Sequence, residues 1–96
     1  MRDEPRPLFT AKGDARGLVK HAYHVAAEVS GYVITVDPAR RFTLAGRVAS
    51  SDPYLLTQTP LVFVIPTTRG PMRWPVESLT VTADQLRARL SAPEGS

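Results

Sequence analysis

The chain has 96 residues, 43% of them hydrophobic and 22% charged, with no cysteine and a net charge of +3 from 12 Lys+Arg and 9 Asp+Glu. This length admits one domain, the apolar share is enough to fold, and the missing cysteines exclude a disulfide framework, a thiolate metal site and a cysteine nucleophile. The longest apolar run, Leu61 to Ile65, falls far short of the ~20 residues of a membrane helix, and the first residues lack the apolar stretch of a signal peptide, so a cytoplasmic location is expected.

The positive charge is uneven. Residues 1–48 carry eight basic and five acidic side chains, residues 49–96 four of each, and ten of the twelve basic residues are arginine. Arginine presents a planar fork of donors suited to phosphate, carboxylate and aromatic faces. A computed pI of 9.8 fits nucleic-acid binding, although a coding bias toward arginine gives the same ratio with no binding role.

In chain order, residues 1–13 read as an extended arm with one large apolar pair, Leu8 and Phe9, suited to pinning the arm to the domain or to a partner. Over residues 14–29, Leu18, Val19, Ala22, Val25, Ala26 and Val29 fall within one arc of roughly 120° on a helical wheel. Asp14 stands where an N-cap belongs and Gly31 where the helix would stop, so a helix is expected here. A strand reading puts Tyr23, Val25, Ala27 and Val29 on one face but leaves Gly17 and Leu18 without a role.

Residues 32–36 and 41–48 are rich in β-branched and aromatic side chains, and Asp37-Pro38-Ala39-Arg40 between them fits a type I turn, which makes a hairpin. Leu61 to Ile65, apolar throughout and bracketed by Pro60 and Pro66, reads as a strand covered on both faces. Met72, Trp74 and Val76 alternate onto one face of a further strand, and Pro75, lacking an N–H, assigns it to a sheet edge or ends it there. Thr82 and Gln85 have capping-box spacing with Leu86 and Leu90 one turn apart, which predicts a short helix over residues 83–90. Residues 91–96 read as a flexible tail. The expected fold is α+β: one domain over residues 14–90, with a small antiparallel sheet of four to five strands curled into a half-barrel beside two helices.

Few residues suggest chemistry. His21, His24 and Glu28 share one side of the expected helix at spacings of three and four, which makes them weak candidates for a metal, but the shell is incomplete and no metal or other cofactor is expected. The serines lack an elbow motif, the glycines form no phosphate loop and no carboxylate pair stands out, so the chain reads as no enzyme and offers no evident small-molecule site. Arginine interleaved with aromatics is the functional signal: Arg40, Arg41 and Arg47 around Tyr32 and Phe42, and Arg69 and Arg73 beside Trp74. Bases stack on aromatic faces while arginine neutralises phosphates, so this pattern fits a non-catalytic accessory or regulatory module on nucleic acid. The competing expectation assigns the aromatics to the core and the arginines to solvent. The alternative function is a structural or adaptor subunit that binds a protein partner or a second copy through Leu8 and Phe9 of the arm and Met72 of the edge strand.

Overall fold

The computed structural model describes residues 6–11 and 15–93. The proposed N-cap Asp14, part of the arm and the end of the tail lie outside the described residues. Seven strands follow in chain order: β1 (Arg6–Thr10), β2 (Arg16–His21), β3 (His24–Val36), β4 (Phe42–Ser51), β5 (Leu61–Thr67), β6 (Gly70–Thr82) and β7 (Gln85–Leu90), with one 3-10 turn at Leu55–Thr57 before β5. All pairings are antiparallel. They run β2-β3-β4-β7-β6-β5, and β5 pairs back to β2, which closes a six-stranded barrel. β1 lies outside this ring on β3, where Thr10 opposes Val33 and Arg6 opposes Val36.

The expected α+β class with two helices is therefore corrected to an all-β barrel. Residues 16–29 contain a hairpin: His21 faces His24 across a two-residue turn in which Ala22 adopts φ +55°. Two-residue hairpin turns need positive φ at their first central residue, and alanine there gives no turn signal in the sequence. A bulge between Val19 and Lys20 shifts the alternation, so the apolar residues fell by accident on a helical arc. The stop assigned to Gly31 is a second irregularity. Its φ of +56° accompanies a register shift against β4, and the buried residues of β3 change from Ala27 and Val29 before it to Tyr32 and Ile34 after it. At the other end, Thr82 and Gln85 are opposed residues flanking a turn at Ala83 and Asp84. The strict alternation of buried Leu86, Ala88 and Leu90 with exposed Arg87 and Arg89 makes this segment a strand.

The hairpin of β3 and β4 forms as its sequence predicts, with Val36 opposite Phe42. β5 is central to the core: Leu61, Phe63 and Ile65 point inward against Val76, Trp74 and Met72 of β6. β6 pairs with β5 over Gly70–Val76 and with β7 over Val76–Thr82, so among the described residues Met72 to Pro75 have a strand on one side only, as Pro75 led one to expect. Pro75 stands just before the changeover at Val76, where β6 leaves β5 and begins to pair with β7.

Trp74, Phe63, Ile34, Leu44, Leu86, Val19 and Val29 fill the barrel. Edge-to-face contacts join Tyr32 to Phe63 at 5.2 Å and Phe42 to Trp74 at 5.3 Å, and β1 adds Phe9 against Trp74 at 6.1 Å. The Trp74 indole Nε1 is buried without a hydrogen-bond partner among the described residues. No helix among the described residues is long and apolar enough to cross a membrane.

Candidate nucleic-acid interface

Because successive strand residues point to opposite faces, the register decides what the barrel shows to solvent. Across β4, β7 and β6 the outward residues form three rows: Thr43, Arg89 and Ser78; Ala45, Arg87 and Thr80; Arg47, Gln85 and Thr82. Arg89 and Arg87 are two residues apart on one strand, and Arg47 stands diagonally across from Arg87, so consecutive arginine Cα positions repeat at roughly 7 Å. The ground between them is small and polar. Arg87 and Arg89 have no ion-pair partner among the described residues.

The line of arginines continues at the turn between β3 and β4. Arg40, Arg41 and Arg89 border a cleft of about 350 Å³ whose apolar wall is Phe42 and Leu90. The turn is built by Asp37: the Arg40 backbone N–H donates to the Asp37 carbonyl at 2.9 Å, the Arg41 N–H to Asp37 Oδ1 at 2.8 Å and the Arg41 Nε–H to Asp37 Oδ2 at 3.0 Å. The backbone bond from Arg41, helped by its guanidinium, holds the Asp37 carboxyl below the usual carboxylate range. Arg40 has φ +63°, a left-handed conformation that disfavours any side chain. In the turn between β5 and β6, the residue at the equivalent place is Gly70, with φ +104°.

Five arginines thus share this surface with three carboxylates. Asp37 is held by Arg41, Asp84 lies 3.5 Å from the Arg47 Nε, and Glu77 accepts the Ser91 hydroxyl at 2.8 Å.

The structure divides the residues that the sequence grouped. Arg40, Arg41 and Arg47 come together, whereas Arg69 lies in the turn between β5 and β6 and Arg73 points outward on β6 beside Val64 of β5. Trp74 and Tyr32 are 1% and 4% exposed, which leaves neither ring a face for a base. Arg87 and Arg89 escaped notice because a helix was expected there. Met72 and Phe9 pack against the core, while Leu8 is 46% exposed on β1. The exposed aromatics are instead Tyr23 in the β2–β3 turn and Tyr54 before β5. The helical side expected to gather His21, His24 and Glu28 does not exist. The histidines oppose each other at the hairpin end, with His21 Nδ1–H donating to the Pro60 carbonyl at 3.0 Å, while Glu28 pairs with Arg16 at 3.3 Å. Among the described residues no three His, Asp or Glu side chains form a group that could hold a metal ion.

Comparison of the chain with family models, curated proteins and solved structures finds no match.

Proposed function

We propose that this chain is a non-catalytic binding module, a small basic accessory or regulatory protein of the cytoplasm that contacts nucleic acid along the outer face of β4 and β7. One observation carries the reading: the strand register sets Arg89, Arg87 and Arg47 in a line over serine and threonine, with Arg40 and Arg41 at its end. With Tyr32 and Trp74 in the core, the interface works on phosphates rather than by stacking, so binding is insensitive to base sequence. Hydroxyls of Thr43, Ser78 and Thr80 add neutral donors to phosphate oxygens between the guanidinium groups. The adaptor alternative is less favoured: Met72 to Pro75 pair only with β5, but Met72 packs against the core and Pro75 has no N–H to offer an added strand.

Titration of a labelled DNA duplex of arbitrary sequence, followed by fluorescence anisotropy at several salt concentrations, tests the reading. Binding at low salt that weakens linearly in log–log form supports it, with each lost phosphate contact reducing the slope by about 0.9. No binding to duplex or single-stranded DNA or RNA at low salt would sink it.

A further inference from the structure

The barrel has a second outward surface of opposite character, and its function is independent of the nucleic-acid reading. Across β2, β5 and β6 the outward rows are Leu18, Val64 and Arg73, then Lys20, Val62 and Pro75, with Pro66 and Pro71 opposed beyond them. Six of these eight side chains are apolar, where the neighbouring face presents serine, threonine and arginine. Val64 is buried at 9% exposure although it points to the outward side of β5.

The wall also opens here. β2 and β5 pair only from Leu18 and Val64 to Lys20 and Val62, whereas β5 runs on to Thr67 and Arg16 and Gly17 pair with β3 alone. The result is a groove of about 320 Å³ lined by Arg16, Leu18, Val64, Pro66, Thr67 and Pro71, together with Gly70. Leu18 and Val62 are half-buried and Pro66 and Pro71 exposed, and an apolar groove open to solvent on a small barrel marks a contact site for another protein. Pro66 and Pro71 lack N–H groups, so a full backbone ladder cannot form along this stretch and recognition must rest on side-chain packing.

The border of the groove is cationic. Lys20 and Arg73 lie in its rows and Arg69 in the turn whose Thr67 and Gly70 line it, while Arg16 on its wall is already paired with a carboxylate. The nearby carboxylate, Glu28, is engaged with Arg16. We propose that this groove docks an extended aliphatic segment of another protein whose flanks carry carboxylates. A second copy of the chain is disfavoured because it would bring the same cations against one another, and nucleic acid is disfavoured because an aliphatic floor would desolvate phosphates without donors to replace the water.

The test selects a displayed library of random peptides, about a dozen residues long, against the intact chain and then measures the selected peptide by fluorescence polarisation. Peptides with an aliphatic centre and acidic flanks should be enriched. Leu18→Glu should weaken their binding by at least roughly tenfold. Arg69→Glu, at an exposed turn that cannot unfold the barrel, should weaken it severalfold and leave DNA affinity unchanged. Failure to enrich any peptide, enrichment of basic flanks, displacement of the peptide by duplex DNA, or dimerisation of the chain alone that Leu18→Glu abolishes would each overturn the proposal.

Discussion

Arg40 offers a sharp test because it should cost stability where it stands. A side chain in the left-handed region is disfavoured by roughly 1–2 kcal/mol, and Arg40 has φ +63°. Glycine removes that penalty but costs about 0.5–1 kcal/mol through the entropy of the unfolded chain. Arg40→Gly should therefore stabilise the barrel by roughly 0.5–1 kcal/mol, and for a domain of this size each kcal/mol raises Tm by about 4–8 °C. The Asp37 bonds to the Arg41 backbone and guanidinium do not involve the Arg40 side chain, so the turn keeps its closure. The same variant should bind DNA more weakly and lower the salt slope by about 0.9 if Arg40 meets a phosphate. Calorimetry and anisotropy on the two proteins read both effects. A lower Tm in the glycine variant would refute the strain argument, and an unchanged salt slope would remove Arg40 from the interface.

The remaining predictions address other parts of the account. Arg87→Ala with Arg89→Ala should reduce the salt slope by about 1.8 while leaving Tm nearly unchanged, because both side chains are exposed and unpaired among the described residues. Gly17→Ala should destabilise by roughly 1–3 kcal/mol in thermal unfolding, since the added Cβ would lie 2.2 Å from the fully buried Phe63 ring. Because the folded-state pKa of Asp37 is depressed, its contribution is present above the ordinary carboxylate range and is lost as pH falls through the lowered value. Asp37→Asn should accordingly flatten the acid limb of a Tm-versus-pH curve. Burial raises the Tyr32 phenol pKa, so its contribution is lost on the alkaline side, and Tyr32→Phe should flatten that limb instead.

Part of this architecture was legible in the sequence, for physical reasons that can be named. The hairpin around Asp37 and Pro38 was readable because proline and aspartate encode the turn locally. The uninterrupted apolar run at Leu61 to Ile65 announced a core strand, but only Leu61, Phe63 and Ile65 face the barrel interior, and Val62 and Val64 point outward rather than under a second covering layer. The first hairpin was hidden because Ala22 occupies a position where glycine or asparagine is the usual signal, and two irregularities in β3 broke the period-two pattern. At the C-terminus Leu86 and Leu90 suit either period, and only Ala88, apolar but small, distinguished strand from helix. The interface followed the same division. Of the residues in the proposed interface, Arg40, Arg41 and Arg47 could be grouped from the hairpin, whereas Arg87 and Arg89 could not because a helix was expected there. The alternation of Met72, Trp74 and Val76 already pointed Trp74 into the core, against its use as a stacking surface.

The central claim is that nucleic acid lies along β4 and β7. Amide chemical-shift mapping during titration of the labelled chain with a DNA duplex tests it most directly. The account predicts perturbations concentrated at residues 40–47, 78–82 and 85–89, with the β2–β5 groove unaffected. Perturbations confined to that groove, or none at saturating duplex in low salt, would contradict it.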